Sequence, residues 1–343
     1  MNEHRSHYAA KKRRKRLDWP SNKNFNILSI DGGGIKGIFP AALLAQIETQ
    51  LLQGISVAEY FDLITGASTG GIIALGLANK LKATNMLEIY MDRGEEIFPP
   101  NSNGLFGKMK AVGSEILNTF LYRYDHEPLN AILSEVFGER ILRECHNRLC
   151  IPSFDGKYSE VYIFKTPHHP DYHLDANEKL TTVARATSAA PTFFHPLDTG
   201  QFTFVDGGVW ANCPVMIGIV DALACFDVPP NRIRILSISC GDSPYFVNDE
   251  KQMRGGKWQW REVIFAAMHL QSQNAVGQAG LLIGPDKILR ISPPTIEKPI
   301  KLDDWQRACA ELPAAAELSF QEHATLLKDI FFRTKANPPI FYA

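Results

Sequence analysis

The sequence contains no apolar stretch of the roughly 18 to 20 residues that a membrane-spanning helix needs, so it predicts no bilayer-spanning segment. No apolar run follows the basic residues near the N-terminus, so no secretory signal is expected and the chain reads as soluble and intracellular. Net charge is also lacking: 36 Lys and Arg stand against 37 Asp and Glu, a formal -1, with no global pull toward nucleic acid or an anionic membrane. Cysteine is sparse. The six residues at 145, 150, 213, 225, 240 and 309 fall in segments that read as core or helix, which points to free buried thiols rather than a disulfide framework. Cys145-His146 with Cys150 has no second pair at zinc-site spacing, so no metal is expected there. His168-His169 with His173 lies among Pro167, Pro170 and Asp171 and reads as a polar surface loop. There is no internal repeat and no linker that would divide the chain.

What is present has a clear order. Residues 1–24 are polar, carry the unbroken run Lys11 to Arg16 and lack periodicity, so a disordered tail is expected, one that would touch anionic lipid or nucleic acid or simply be solvated. Phe25 to Ile30 reads as a strand that runs into Asp31-Gly32-Gly33-Gly34-Ile35-Lys36-Gly37 and then a helix from Pro40 to Leu52. Tyr60 to Thr65 reads as a second strand, followed by Gly66-Ala67-Ser68-Thr69-Gly70 and a helix to about Leu81. Two successive strand–glycine turn–helix units predict an α/β fold with a parallel, doubly wound sheet. Residues 82–150 read as mostly helical, with helices at Met86 to Ile97, Met109 to Phe120 and Pro128 to Phe137, and with a candidate lid at Pro99 to Gly107. Glu160 to Lys165 is expected as the third strand, Lys179 to Ala190 as a helix of small residues, and Phe202 to Val205 as a strand leading to Asp206-Gly207-Gly208. A helix at Pro214 to Ala224, a strand at Arg232 to Ser239, a long helix at 261–283 and a helical stretch at 304–334, broken at Pro313, complete the pattern.

The chemistry concentrates in three turns. A serine on a sharp strand-to-helix turn is pressed into an uncommon backbone conformation with its hydroxyl presented, and the flanking Gly66 and Gly70 let helix and strand approach. Gly32-Gly33-Gly34-Ile35-Lys36-Gly37 fits two uses. As Gly-x-Gly-x-x-Gly it suits a dinucleotide, but the second strand then ends in the serine turn instead of a ribose-binding acid, and Glu48, near the required separation, lies inside a helix. As an oxyanion hole its amides would face the oxygen that turns negative in acyl transfer, one such donor contributing roughly 3 kcal/mol. Lys36 would bind an anionic headgroup or support the loop. A serine also needs a base. In a Ser–His–Asp esterase a histidine would follow on a late loop, yet after Asp206 only His269 and His323 remain, both in helical pattern. Asp206 is the other solution, a carboxylate that becomes a usable base if burial raises its pKa from about 3.9.

These three motifs, in this order, resemble the patatin-like phospholipases, and Ala184 to Pro191 looks like that family's stretch before the aspartate strand. The likeness runs from about Phe25 to Ser243. It implies a three-layer α/β/α fold with a mostly parallel central sheet and a nucleophile-elbow serine. It further implies a Ser–Asp dyad, here Ser68 and Asp206, with Gly32, Gly33 and Gly34 as oxyanion hole, and lipid acyl hydrolysis without metal or organic cofactor. Lys36 stands where many relatives have arginine, which keeps the charge and loses the bidentate fork. The implied layout is a catalytic domain at 25–243, with 82–150 as helical insertion or lid, and a helical region at 244–343 packed on it. The chain looks most like stand-alone bacterial members, some of them antiphage effectors switched on by cyclic oligonucleotides to degrade the host membrane. Expected partners are therefore membrane phospholipids as substrate, met peripherally at the inner face of the cell membrane, and a cyclic di- or trinucleotide activator. A homo-oligomer is a further expectation, and no specific nucleic-acid binding is expected.

Overall fold

The computed structural model describes residues 14–99, 122–241, 263–294 and 299–342. Its centre is an eight-stranded sheet: β1 (Phe25–Ile30), β2 (Leu63–Gly66), β3 (Arg148–Asp155), β4 (Glu160–Lys165), β5 (Leu197–Asp198), β6 (Thr203–Asp206), β7 (Ile233–Ile238) and β8 (Ile288–Ile291). The strands lie in the order β5-β6-β3-β2-β1-β7-β8, with β4 paired to β3. From β3 through β2, β1 and β7 to β8 every pairing is parallel, whereas β4, β5 and β6 join antiparallel. The sheet is thus mixed and mostly parallel rather than parallel throughout.

Strands covered on both faces are rich in apolar residues, and β1 and β7 are mostly apolar and largely buried, with Asn26, Ser29, Arg234 and Ser237 as their polar positions. Their side chains alternate between two cores. Leu28, Ile30, Leu236 and Ile238 join a cluster with the helices Ile38–Gln46, Thr69–Ala78, Ala83–Ile97 and Trp305–Ile330. Phe25, Ile27, Ile233 and Ile235 join a second cluster with the helices Val215–Cys225 and Val263–Ile283. The result is three layers, helix on sheet on helix, as the resemblance implies. Among the described residues no helix is long and apolar enough to cross a membrane.

Several local expectations need correction. The second strand is shorter than expected, because Val57–Tyr60 turns as a 3-10 helix before Leu63. Arg148–Asp155 is a strand that begins at the end of the stretch read as mostly helical (82–150), so Glu160–Lys165 is the fourth strand and not the third. Pro152 falls at a point where β3 exchanges one partner for another: β2 pairs with 148–150 and β6 with 153–155 on the same edge, so the missing amide costs no ladder bond there. The helix Trp305–Ile330 runs unbroken through Pro313, because Ala308, Leu312, Ala316 and Phe320 are buried in the first core. Residues 14–24 are not a free tail. Leu17 exchanges backbone bonds with Cys225 and Asp227 at 2.7 and 2.8 Å, and Trp19 packs on Phe25 and Phe226. His168 and His169 are buried rather than exposed: His168 Nε2 and the Lys165 ammonium both meet the Asp221 carboxylate, at 2.8 and 2.6 Å. Cys150 completes a cluster with His168 and Asp221, but that carboxylate is already matched to an ammonium and to the Tyr172 hydroxyl. The expected helix at Met109 to Phe120 and all but Pro99 of the candidate lid lie outside the described residues.

Candidate active site

The site follows from the partner exchange on β3. β2 runs parallel to β3 and ends level with Cys150, while β6 runs antiparallel and ends level with Ser153. Two strands on one edge of β3 therefore point their C-terminal ends at each other. Ser68, just beyond β2, and Asp206, closing β6, meet across that gap although 138 positions separate them. Ser68 Oγ donates to Asp206 Oδ2 at 2.6 Å.

The serine sits at φ 53 and ψ -124, in the left-handed half of backbone space, where a residue with a Cβ is held only by its surroundings. Those surroundings can be named. A Cβ on Gly70 would lie 2.3 Å from the Ile30 carbonyl oxygen, so only glycine lets the helix Thr69–Ala78 start this close to β1. The Ser68 amide donates to Thr187 Oγ1 at 3.0 Å, and the Thr187 hydroxyl donates in turn to the Pro152 carbonyl at 2.6 Å. Gly66 ends β2, and Gly207 lies flush against Pro152, its Cβ position 2.1 Å from that carbonyl oxygen. The Gly208 amide donates to Asp206 Oδ1 at 2.6 Å, so both carboxylate oxygens are committed. Asp206 is 4% exposed. Burial lifts its pKa from 3.8 to about 6, against the lowering effect of the bonds from Ser68 and Gly208.

The glycine loop lies alongside, with one reassignment. Gly32 donates its amide to the Asn212 carbonyl at 3.0 Å, so it is not available as an oxyanion donor. Gly33 and Gly34 line the cleft at Ser68, and no described residue accepts from their amides. Lys36 is 6% exposed and its ammonium donates to the Gly241 carbonyl at 2.9 Å, so it supports the loop and is not placed to meet a headgroup. Gly37 ends the turn Gly34–Gly37 and packs against Thr69. Above Ser68 opens a cleft, continuous with solvent, whose walls include Ile72, Ile97, Phe98, Leu129, Phe193 and Phe194.

No histidine lines this cleft among the described residues; His269 meets Gln273 along its own helix, and His323 meets the Ser319 carbonyl. Glu48, the residue considered for a ribose, is buried and accepts from the Val57 and Ala83 amides at 3.1 and 2.8 Å. Two supporting residues had no assignment from sequence. Thr187 lies in a quoted motif, but its role needs the backbone of Ser68 beside it. Arg290, on β8, reaches across β7: its guanidinium donates to Asp31 Oδ2 at 2.7 Å and to Ser237 Oγ at 2.7 Å, fixing the start of the glycine loop.

A sequence model described as "Patatin-like phospholipase" matches residues 28–219. A "cGAMP-activated phospholipase" of Escherichia coli (strain TW11681) is 37% identical over 232 residues, 64% of this chain and 63% of that protein. One of Vibrio cholerae is 38% identical over 202 residues, covering 56% of each chain. One of Pseudomonas aeruginosa is 30% identical over 244 residues, covering 70% of each. The matched segments thus span less than two thirds of the first two relatives. With the family model covering residues 28–219 and the third relative matched over 70% of its length, this chain belongs to the patatin-like phospholipase family.

Proposed function

We propose that the protein hydrolyses fatty-acyl esters of membrane glycerophospholipids, with Ser68 as nucleophile and Asp206 as its base. The observation that carries this is the 2.6 Å bond from Ser68 Oγ to a buried aspartate at the floor of an apolar cleft. An acyl chain lies in the cleft, Asp206 takes the hydroxyl proton, and Ser68 Oγ bonds to the ester carbon. The oxygen that becomes negative receives the Gly33 and Gly34 amides, which need little reorganisation. Collapse expels the lysophospholipid alkoxide, which takes the proton from Asp206. Water then attacks the acyl-enzyme, Asp206 again acting as base, and the fatty acid leaves. A carboxylate lifted to about 6 is ionised at neutral pH and still basic enough to share the serine proton.

The relatives named as cGAMP-activated support a regulated enzyme, switched on by a cyclic dinucleotide and acting peripherally on the inner face of the membrane as an antiphage effector. The test is fatty-acid release from phosphatidylethanolamine–phosphatidylglycerol vesicles, with and without a panel of cyclic di- and trinucleotides. Wild type should release fatty acid when cGAMP is present, and Ser68→Ala and Asp206→Ala should not. Undiminished release by Asp206→Ala would overturn the dyad. Full release without any nucleotide, unchanged across the panel, would overturn the gating.

A further inference from the structure

Four consecutive residues beyond the segment matched by the family model link the glycine loop, the cleft wall and, through Tyr90, the serine turn. The Leu302 carbonyl accepts from the Ile35 amide at 2.9 Å, and its oxygen lies 2.4 Å from where a Cβ on Gly34 would stand, in contact with the glycine loop. The Leu302 side chain lines the cleft with Gly33 and Gly34. Asp303, next in the chain, accepts from the Arg123 guanidinium and from the Tyr124 hydroxyl, the latter at 2.9 Å. Asp304 accepts from the Arg307 amide and starts the helix Trp305–Ile330. Trp305 Nε1 donates to the Tyr90 carbonyl at 3.3 Å, and the Tyr90 hydroxyl bonds Thr69, the residue after the nucleophile.

Tyr124 gives the arrangement its direction. Its ring packs on Phe98, Phe193 and Phe194, three walls of the cleft, with centroids 5.3, 6.2 and 6.1 Å away. The Tyr124–Asp303 bond therefore joins the wall of the cleft to the backbone that seats the glycine loop. Asp303 is 11% exposed on its side chain, and the phenol beside it is held neutral by burial and by the carboxylate.

We infer that Asp303 is a positioning residue: it clamps the strap 302–305 to the cleft wall and so fixes the Gly33 and Gly34 amides at the place where the oxyanion forms. The inference rests on the reading of Ser68 and the glycine loop given above. A misplacement of about 1 Å at reacting groups, caused from a distance, can cost on the order of 100-fold in rate. The loop would still bind substrate, so the loss falls on kcat and leaves KM in place.

The experiment compares wild type with Asp303→Leu, Asp303→Asn and Tyr124→Phe. Each is assayed on monomeric dihexanoyl phosphatidylcholine and on p-nitrophenyl butyrate, with cGAMP added throughout, and circular dichroism checks the fold. Asp303→Leu should lower kcat roughly 10- to 100-fold on both substrates with KM within about threefold of wild type. Asn keeps an acceptor for Tyr124 and should stay within about threefold of wild-type kcat, and Tyr124→Phe should fall between. Unchanged kcat, a rise in KM alone, a loss confined to one substrate, or an Asn variant as poor as Leu would each overturn the inference. If Asp303→Leu does not fold, Tyr124→Phe decides, and wild-type kcat in that variant overturns it. A wild type inactive with every nucleotide of the panel, or an active Ser68→Ala, would instead sink the reading of the site itself.

Discussion

Replacing Asp206 by Asn is expected to stabilise the protein at pH 8 far more than at pH 4.5, while abolishing activity at both. Burial raises the pKa of this carboxyl from 3.8 to about 6. An acid whose folded pKa exceeds its unfolded one favours folding while protonated. Its contribution is complete below about pH 3.8 and is lost as pH rises through about 6. The separation is about two pH units at 1.36 kcal/mol each, so above pH 6 the native state carries a cost of about 3 kcal/mol for keeping Asp206 charged. Asparagine removes that cost and keeps the geometry. Its oxygen accepts from Gly208 as Oδ1 does now, and its amide nitrogen donates to Ser68 Oγ where Oδ2 now accepts. At pH 4.5 about 1 kcal/mol of the cost is already present, so the stability gap between variant and wild type should widen by about 2 kcal/mol between pH 4.5 and 8. Urea unfolding of both proteins across that range measures it. On the proposed mechanism the same pKa places the rise of wild-type kcat/KM at about pH 6, because there only the ionised carboxylate would accept the serine proton. A gap that stays constant within about 0.5 kcal/mol, or an activity midpoint near pH 4, would refute the argument that burial tunes this base.

Gly70→Ala puts a methyl 2.3 Å from the Ile30 carbonyl oxygen, inside a strand that cannot yield, and should cost about 3 kcal/mol or prevent soluble expression, as read by urea midpoint and yield. Thr187→Val removes one hydroxyl and strips a partner from both the Ser68 amide and the Pro152 carbonyl; unfolding should show a loss of about 2 kcal/mol, and turnover should fall as the serine turn loosens. Arg290→Met takes the guanidinium from the buried Asp31 carboxylate and should destabilise by about 3 kcal/mol, part of it recovered when combined with Asp31→Asn. No recovery in the double variant would mean that Arg290 acts through packing and not through Asp31.

The two strand–turn–helix units were legible in sequence because each is local: an apolar strand, glycines that admit close packing, and a helix all fall within about twenty positions of one another. Ser68 came from that local pattern, and Asp206 from the absence of a suitably placed histidine together with the family resemblance. The strand Arg148–Asp155 was not legible, because Pro152 interrupts the pattern and only the exchange of β2 for β6 on that edge makes the proline harmless. Pro313 misled for a related reason, since burial against the core keeps its helix continuous. His168 and His169 look like surface residues until Asp221, more than fifty positions later, packs against His168.

The sequence by itself therefore determined the kinds of element and the chemical groups on offer: a strained serine turn, a glycine loop, and an aspartate after a strand. Tertiary structure alone decided where those groups stand relative to one another. It sent the Gly32 amide to Asn212, set Gly33 and Gly34 along the cleft, and buried Lys36 against Gly241. It recruited Thr187, Arg290 and the strap at 302–305 from distant parts of the chain. The physical reason is that turns and periodicity are settled by neighbours along the chain. Hydrogen-bond partners, burial and the resulting pKa of Asp206 are settled instead by which strand ends the sheet brings face to face.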